Sequence, residues 1–384
     1  MGYKTFMAGD LQTVQDNIPP GTIDLGLGDP PLSLLPLDLI RHAAEVRFAE
    51  GDPSMLQYGT EQGDGNFRLA LAKFLSEGYA SPVDSAGLFI TNGVSNALDL
   101  ICSLYAQPGD VIFVEEPTYF LALRIFNDHK LRIVPIQTDQ NGLIIEALEE
   151  KLVKFQPKFL YIIPTFQNPT GHTLTHERRE RLIQLCQEHE FIVVADEVYH
   201  FLNFKEKPPK AFAIHTGIEN FISLSSFSKI LAPGLRLGWI QTHPDKIKRF
   251  VNCGLLDSGG GLNPFTSAIV RDVLDSGKLQ ENIVKLVEVY QSRALVMDSA
   301  LRQYLPMTTY AVPKGGYFFW VRLPGLLDGA TLQKKAESSK VNFRSGIRFS
   351  SEEGMRDYIR LSFVYYEPDK LIEGVKRIKQ CMES

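Results

Sequence analysis

The chain has 384 residues, of which 44% are hydrophobic and 22% are charged, so it can bury a large core and is expected to form two domains rather than one. Its formal net charge is -5, and it carries no lysine or arginine block of the kind that binds nucleic acid or a membrane surface. The composition therefore favours a protein with a small-molecule ligand.

The first ten residues lack the apolar core of a secretion signal, and no later stretch approaches the roughly 18 apolar residues of a membrane span. We therefore expect a cytoplasmic protein. The four cysteines are isolated, and His172 and His176 have no further ligand residues near them in the sequence. Neither a disulfide scaffold nor a metal site is predicted.

Between about residues 87 and 240, short apolar runs alternate with helical patterns. The runs lie at residues 87–91, 111–114, 159–163, 191–195 and 221–224. Runs of this kind are typical of strands buried on both faces of a sheet. Between two of them, residues 178–190 place Leu182, Leu185 and Cys186 on one stripe of a helix. The alternation of strands and helices predicts a parallel or mostly parallel sheet.

The C-terminal part of the chain has a different pattern. Residues 279–305 are predicted to form one long helix, with Ile283, Leu286 and Tyr290 among its apolar residues. A β-rich segment that contains residues 315–321 follows this helix. The tail therefore predicts a second, smaller α+β domain.

Ligands of open α/β sheets bind beyond the carboxyl ends of the strands, so the residues after each predicted strand are candidates for a site. After the first strand, Gly93 opens a helix whose free N–H groups at Val94, Ser95 and Asn96 are suited to a phosphate. After the second strand, Tyr119 offers an aromatic face to a planar ring. Taken singly, the glycine is also consistent with an ordinary turn and the tyrosine with core packing.

The third and fourth strand ends carry more specific chemistry. Asn168 lies in a proline-bracketed turn at residues 164–171, which fixes its amide as a hydrogen-bond donor. Asp196 directly follows an apolar run, and its burial is costly without a cationic partner such as a protonated pyridine nitrogen. Tyr199, three positions on, is placed to donate to a phenolic oxygen of the same ligand. A cap for the next helix is the alternative for Asp196.

Residues 225–239 place a lysine after two hydroxyl groups and before an arginine. Lys229 needs a lowered pKa if it is to form a Schiff base. Ser226, Ser228 and Arg236 together have the donors to satisfy a dianion. Pyridoxal phosphate requires both an amine and a phosphate site, although a lysine on a solvated loop is the alternative when this residue is considered alone.

In chain order, the glycine turn, the aromatic residue, Asn-Pro-Thr-Gly, Asp-x-x-Tyr and Ser-x-Ser-Lys followed by an arginine resemble the fold-type I aminotransferases that depend on pyridoxal phosphate. Residues 226–236 are most similar to the branch that contains α-aminoadipate and kynurenine aminotransferases. Residues 24–30 resemble the family's N-terminal segment, and residues 56–59 resemble its dimer-contact motif.

The resemblance implies an α/β fold with a mostly parallel seven-stranded sheet between helices, plus a smaller α+β domain built from both ends of the chain. On this basis we predict three parts: an N-terminal segment (1–45) that joins the small domain, a large cofactor-binding domain (46–285) and a small C-terminal domain (286–384).

The resemblance also implies a role for each candidate residue. Lys229 forms the Schiff base and moves the proton, Asp196 faces the pyridine nitrogen, and Asn168 and Tyr199 contact the phenolic oxygen; Lys229, Asp196 and Tyr199 are the catalytic set. Tyr119 stacks on the cofactor ring. The residues assigned to the phosphate are Gly93, Val94, Ser95, Asn96, Ser226, Ser228 and Arg236, together with Tyr58 from the neighbouring subunit of a homodimer. Gly28, Asn168 and Arg360 are assigned to the substrate, and Arg360 grips its α-carboxylate.

Two departures from the family pattern bear on this assignment. Residues 93–96 read Gly-Val-Ser-Asn where relatives often carry Gly-Ser-Gln-Gln, which keeps the backbone donors and removes the first hydroxyl. Residues 345–349 read Ser-Gly-Ile-Arg-Phe in place of the usual Pro-Gly before a phenylalanine. The neighbouring Arg344 and Arg348 have no assigned role, and the substrate preference is open at this point.

The leading hypothesis is transamination between an L-amino acid and a 2-oxo acid by a ping-pong cycle. The same lysine, aspartate and asparagine serve other pyridoxal-phosphate reactions, so β-elimination from a cysteine conjugate is an alternative. A third reading is a regulator that carries an aminotransferase-like sensor behind a DNA-binding module. Such a module needs roughly 60 residues ahead of the fold, whereas Gly28 is already assigned to the fold, so this reading is not expected.

Overall fold

The computed structural model describes residues 18–215 and 217–383. Residues 1–17 of the predicted N-terminal segment lie outside the described residues. The strands are β1 (Ile23–Asp24), β2 (Leu88–Thr91), β3 (Val111–Glu116), β4 (Arg132–Asp139), β5 (Gly142–Leu143), β6 (Phe159–Ile162), β7 (Ile192–Asp196), β8 (Phe221–Ser226), β9 (Gly238–Thr242), β10 (Phe318–Arg322), β11 (Val341–Asn342), β12 (Arg344–Ser345) and β13 (Tyr358–Ser362).

The α-helices lie between and after these strands. They are α1 (Leu37–Ala49), α2 (Gly65–Tyr79), α3 (Val94–Tyr105), α4 (Phe120–Asp128), α5 (Ile145–Leu152), α6 (His176–Glu188), α7 (Pro244–Val251), α8 (Gly254–Gly259), α9 (Pro264–Asp275), α10 (Lys278–Tyr304), α11 (Gly329–Ser338) and α12 (Pro368–Glu383). None of the helices in the described ranges is long and apolar enough to cross a membrane.

The main sheet has the strand order β2-β9-β8-β7-β6-β3-β4-β5. Strands β4, β3, β6, β7 and β8 pair in parallel, and β9 runs antiparallel between β8 and β2. The α/β fold with a mostly parallel sheet is thus confirmed. The sheet has eight strands rather than seven because the chain reverses at Gly142 (φ +90°), where β5 pairs with the end of β4.

Alternate residues of each strand enter cores on opposite faces of this sheet. In β6, Tyr161 packs with the larger core, while Leu160 and Ile162 pack with the smaller one. Because side chains alternate along a strand, a run with no polar positions is the sequence pattern of a strand covered on both sides. The continuous apolar runs therefore indicated both the strands and their burial.

A smaller layer of sheet and helix is built from the two ends of the chain. Strands β10, β13 and β12 form an antiparallel sheet, and the long helix α10 packs against α12. The N-terminal strand β1 pairs in parallel with β11, and Ser362 N–H donates to the Leu25 carbonyl at 2.6 Å. These contacts carry the N-terminal segment across the edge of the main sheet.

Candidate active site

The carboxyl ends of β2, β3, β6, β7 and β8 meet at one edge of the main sheet because these strands run the same way. The antiparallel strand β9 begins at this edge, and its Gly238 lies in register with both Ser226 of β8 and Thr91 of β2. A Cβ on Gly238 would come within 2.9 Å of the Gly93 Cα, so only glycine lets the three chain segments approach so closely. The sheet order therefore brings the glycine turn, the serines and Arg236 together.

The turn after β2 presents free backbone donors. Gly93, with φ +87°, precedes α3, and the first helical bond of this turn runs from Ala97 N–H to the Gly93 carbonyl. The amides of Val94, Ser95 and Asn96 are therefore left without a helical acceptor. The Asn96 side chain accepts from Asn92 N–H at 3.1 Å, so it stabilises the turn itself.

Arg236 and two serines flank this turn. The Arg236 guanidinium donates to the Asn92 carbonyl at 3.2 Å, and its backbone is in the left-handed region at φ +47°. Ser226 Oγ lies 2.9 Å from Ser228 Oγ and donates to the Leu237 carbonyl at 3.0 Å. Hydroxyls, amides and a guanidinium thus converge, which is the donor set that a phosphate dianion requires.

Lys229 lies three residues after the end of β8, and its side chain is 18% exposed. Its Nζ donates to the Gly28 carbonyl at 2.6 Å, lies 3.7 Å from Asp29 Oδ1 and sits 5.3 Å from the centre of the Tyr317 ring. Burial lowers the pKa of the Lys229 amine, and Asp29 opposes this shift. The environment therefore favours a neutral, nucleophilic amine more than bulk water does.

Asp196 ends β7 and is 4% exposed. Its carboxylate accepts from the Tyr161 hydroxyl at 2.9 Å and from Val198 N–H at 3.5 Å, and neither donor is a cation. Burial raises the pKa of Asp196 to about 6, and the Tyr161 hydrogen bond opposes the shift. A carboxylate held in this way is completed by a protonated ring nitrogen, so the residues present fit pyridoxal phosphate.

Arg360, on β13, is 3% exposed and is brought to Asn168 from the smaller sheet. Its Nη1 donates to Asn168 Oδ1 at 2.8 Å, and its Nη2 donates to the Gly26 carbonyl at 2.8 Å. The guanidinium lies 3.9 Å from the centre of the Phe318 ring and 4.9 Å from that of Phe349. Burial lowers the pKa of Arg360 to about 10, so the side chain still carries its charge at neutral pH.

Two tyrosines predicted for the cofactor lie at the same edge. Tyr199 is buried and packs 5.4 Å from the Tyr317 ring, and burial raises its pKa well above the ordinary value. Tyr119 begins α4, and burial followed by the charge of Asp196 raises its pKa to about 12. Both phenols therefore remain protonated at neutral pH, so both can donate hydrogen bonds.

Tyr58 is placed elsewhere. It is 80% exposed, and within the described part of the chain its hydroxyl makes no hydrogen bond. The single chain thus gathers every predicted site residue near the sheet edge except this one, which it leaves on the surface.

Several contacts at the site involve residues that the sequence reasoning missed. Tyr161 donates to Asp196, Asp29 pairs with Lys229, and Tyr317 and Phe318 enclose the two cations. Tyr161 had a detectable signal, because it is the polar position in an otherwise apolar strand. Asp29 also follows the predicted substrate residue Gly28, whereas the ring contacts depend on how the smaller sheet docks.

Residues 20–378 match the model of the family described as aminotransferase class I and II, and the chain therefore belongs to the class I and II aminotransferases. It is 34% identical to aromatic-amino-acid aminotransferase 1 of Thermococcus litoralis, over 94% of this chain and 88% of that protein. It is 31% identical to the 2-aminoadipate transaminase of Thermus thermophilus, over 95% of this chain and 91% of that protein.

Among solved structures, the chain is similar to the Pyrococcus horikoshii kynurenine aminotransferase in complex with PMP, with a TM-score of 0.89 and 33% identity, covering 94% of this chain and 91% of that one. The protein is accordingly a fold-type I aminotransferase that depends on pyridoxal phosphate. These likenesses favour transamination over the β-elimination and regulatory alternatives.

A second buried carboxylate, Glu115 of β3, accepts hydrogen bonds from the segment that leads into the Asn168 turn. It is 1% exposed and accepts from Ile163 N–H at 2.8 Å and from Gln167 Nε2 at 3.3 Å. Gln167 in turn donates to the Pro117 carbonyl and accepts from Thr170, so this network fixes the residue before Asn168. Burial raises the pKa of Glu115 to about 8.

In the cofactor-free protein, Glu115→Gln should therefore reduce the loss of unfolding free energy that occurs as pH rises. A carboxyl whose folded pKa lies near 8, against an ordinary value of 4.5, lowers the free energy of unfolding as pH rises through that window. The stability of the variant relative to wild type should increase between pH 5 and 8.5 by a few kcal/mol, at roughly 1.4 kcal/mol per pKa unit. Urea unfolding at both pH values measures this, with Glu188→Gln on the surface of α6 as the control. The same change in unfolding free energy with pH in wild type and in Glu115→Gln would contradict this prediction.

Proposed function

We propose that this aminotransferase moves an amino group from an L-amino acid to a 2-oxo acid by a ping-pong cycle in which Lys229 holds the cofactor as a Schiff base and carries the α-proton. The observation that supports this is the convergence of one buried amine, one buried carboxylate and one buried guanidinium. The charges of Asp196 and Arg360 both act on the pKa of Lys229, which supports a shared site for the three groups.

Pyridoxal phosphate, when bound, supplies an aldehyde for exchange with the substrate amine and a ring that withdraws electrons from the α-carbon. Asp196 would keep the ring nitrogen protonated, because its buried carboxylate accepts from the neutral Tyr161 hydroxyl and Val198 amide and forms no ion pair within the described ranges. Tyr199 and Asn168 orient the phenolic side of the ring. Tyr119, at the start of α4, stacks on the ring face.

Lys229 moves the proton at the substrate α-carbon. A lowered pKa leaves more of the amine neutral at physiological pH, and a positioned base contributes roughly 10²–10⁴-fold to such a step. The Gly28 carbonyl and Asp29 hold the Nζ when it is free. Gly28, which we assign to the substrate, thus also contacts the lysine through its carbonyl.

The phosphate is held by the turn at Gly93, Val94, Ser95 and Asn96 and by the two serines and arginine that face it. The missing hydroxyl at Val94 is compensated by backbone amides, because the first amides of α3 have no helical acceptor. The Asn96 side-chain oxygen stabilises the turn by accepting from Asn92 N–H.

Arg360 binds the substrate α-carboxylate, and Asn168 holds one edge of its guanidinium. The rings of Phe318 and Phe349 flank the Arg360 guanidinium and give it an apolar, aromatic environment. The named activities of the relatives support an aromatic or long-chain amino acid as the donor.

A half-reaction screen tests the function directly. The purified holoenzyme is mixed with single amino acids, and loss of the cofactor absorbance is followed for aromatic amino acids, 2-aminoadipate, alanine and a cysteine conjugate. Formation of the matching 2-oxo acid supports transamination, and aromatic donors should react fastest. Release of pyruvate and thiol from the cysteine conjugate as the main reaction would contradict it.

The surface around Tyr58 supports a homodimer. Exposed apolar side chains occur on α1, on the loop before α2 and at the start of α9, and the rings of Phe48 and Phe265 lie 6.3 Å apart there. Leu37 is 77% exposed and Leu56 is 71% exposed. Several large exposed apolar side chains on neighbouring elements are typical of an oligomer interface, and two-fold pairing is the commonest arrangement.

Tyr58 then reaches the phosphate in the neighbouring subunit, and mixed dimers test this. A dimer of one Tyr58→Ala chain and one Lys229→Ala chain has one site with both residues and one site with neither. Activity should return to up to one competent site per mixed dimer, while each variant alone has little, and Tyr58→Phe alone should weaken cofactor retention. Refolding the two variants together and measuring turnover is the experiment. Absence of recovery in verified mixed dimers would show that Tyr58 serves its own chain.

We also propose the cytoplasm as the location, because the substrates are those of amino acid metabolism.

The proposed division of the chain is 1–45, 46–285 and 286–384. The pairing of β1 with β11 supports the assignment of the N-terminal segment to the small domain.

A further inference from the structure

Residues 24–29, called the N-terminal strap below, touch both cations of the site with their backbone. Lys229 donates to the Gly28 carbonyl at 2.6 Å and Arg360 donates to the Gly26 carbonyl at 2.8 Å. The strap is tied to β11 through its Leu25 amide, which donates to the Asn342 carbonyl at 2.8 Å, and to β13 through the Leu25 carbonyl, which accepts from Ser362 N–H at 2.6 Å. Its position therefore sets where two functional side chains point.

The start of the strap is held by an ion pair that crosses the sequence. Arg344 Nη1 lies 3.4 Å from both carboxylate oxygens of Asp24. The Asp24 carboxylate also accepts from Gly26 N–H at 2.8 Å and from Asn342 Nδ2 at 2.9 Å. The side chains of Asp24 and Arg344 are 13% and 20% exposed, so this pair is more protected from solvent than an ordinary surface ion pair.

Arg344 also packs against the strap itself. A Cβ on Gly26 would lie 2.6 Å from Arg344 Nη1 and 2.9 Å from its Cζ, closer than real side-chain atoms approach. The guanidinium thus lies against the backbone whose carbonyl receives Arg360. Glycine at position 26 leaves the space that this arrangement needs.

The two arginines are direct neighbours. Arg344 of β12 lies in register with Arg360 of β13, and like charges at opposite positions of an antiparallel pair repel. Asp24, the first residue of the strap, pairs with Arg344, and its charge also acts on Arg360. Loss of Asp24 would leave two neighbouring cations without their shared counter-ion.

We propose that Arg344 is a positioning residue: by pairing with Asp24 it holds the N-terminal strap so that the Gly26 carbonyl orients Arg360 toward the substrate α-carboxylate. This rests on the role proposed above for Arg360. Arg344 itself does not contact the substrate, and it acts on substrate binding rather than on the proton transfer at Lys229.

The test compares Arg344→Met, Asp24→Asn and the double variant, with Arg322→Met as the control. Arg322 pairs with Asp357 at 2.7 Å on the outer part of the same small sheet, so it matches the charge and the neighbourhood without touching the strap. Arg344→Met should raise KM for the amino acid by about ten-fold, the equivalent of 1.4 kcal/mol, with kcat changed much less. Asp24→Asn should raise KM further than Arg344→Met does. The double variant should have a lower KM than Asp24→Asn, because it no longer carries the uncompensated Arg344. Arg322→Met should leave KM unchanged.

Amide hydrogen exchange of the cofactor-free protein provides a readout that does not depend on activity. Peptides covering residues 23–29 should exchange faster in Arg344→Met than in wild type or in Arg322→Met, because Gly26 N–H loses a fixed acceptor. Arg344→Lys, which can still pair with Asp24, should show smaller changes in both exchange and KM, and it replaces the methionine variant if that variant does not fold.

Three results would overturn the proposal. An unchanged KM in Arg344→Met, even with faster exchange of the strap, would show a structural pair only. A rise in KM of Arg344→Met that is confined to amino acids with a side-chain carboxylate would show that Arg344 recognises the substrate directly. A higher KM in the double variant than in Asp24→Asn would contradict the role of Asp24 as a shared counter-ion. Failure of the Arg360 role itself is recognised separately, because Arg360→Lys would then leave KM unchanged.

Discussion

Lys229→Ala should lower turnover by about 10⁴-fold or more, the upper end of what a positioned acid-base group contributes. The variant loses both the attachment point of the cofactor and the amine that moves the α-proton. It should still fold and retain cofactor through the phosphate site, because Lys229 contributes one hydrogen bond to Gly28 and one ion pair to Asp29. Steady-state kinetics with the best donor from the half-reaction screen measures the loss.

Lys246→Ala is the matched control for this experiment. Lys246, on α7, is also a partly buried lysine whose pKa is lowered by burial, but it pairs with Glu219 and lies over the ring of Tyr105 at the end of α3. Its loss should leave turnover near the wild-type value. Borohydride reduction followed by peptide mapping should find the cofactor on Lys229, and wild-type turnover in Lys229→Ala would remove the lysine from the mechanism.

Asp196→Asn should keep the cofactor bound and lower kcat by about 10²–10³-fold. Removal of one partner of a buried ion pair costs roughly 3–5 kcal/mol, and an amide cannot hold a proton on the ring nitrogen as a carboxylate does. The expected loss lies in kcat because the ring's electron withdrawal is needed in the transition state rather than in substrate binding. Kinetics together with the cofactor absorbance spectrum of the purified variant test this.

The neighbouring Glu197→Gln separates this effect from a general loss of packing. Glu197 is buried beside Asp196, but it accepts from the amides of Phe212 and Ala213 and from the Ser223 hydroxyl, away from the site. That variant should change the free energy of unfolding and leave kcat nearly unchanged. Equal losses of kcat in the two variants would reject the ring-nitrogen role of Asp196.

The charges at the site are arranged by burial rather than by tight pairing. Asp196 has its pKa raised and Lys229 has its pKa lowered, each chiefly because the side chain is removed from water. Both shifts disfavour the charged form of the isolated group, so binding of a cofactor with a protonated ring and an aldehyde relieves both costs. The site is therefore prepared for its cofactor by the same desolvation that makes it costly without one.

The sequence by itself determined the elements of the main sheet and the residues that end them. Continuous apolar runs mark strands that are covered on both faces, because a strand with one wet face alternates polar and apolar residues. The chemistry then appears at or shortly after the end of the strand, as with Asp196 at the end of β7 and Lys229 three residues after β8. Such local patterns need only short-range information, and they predicted the α/β fold and the candidate residues at the strand ends. Gly28 and Arg360 were assigned through the family resemblance, and Tyr161, Asp29 and Tyr317 were not predicted.

The tertiary structure alone decided which distant segments complete that edge. Strand β9 runs antiparallel between β8 and β2, which places Arg236 against the Gly93 turn. The smaller sheet brings Arg360 to Asn168 across 192 positions, and Arg344 to Asp24 across 320 positions. No local periodicity specifies such pairs, because the free energy that selects them comes from docking whole sheets and burying charges together. For that reason the N-terminal strap and its ion pair emerge only from the folded chain.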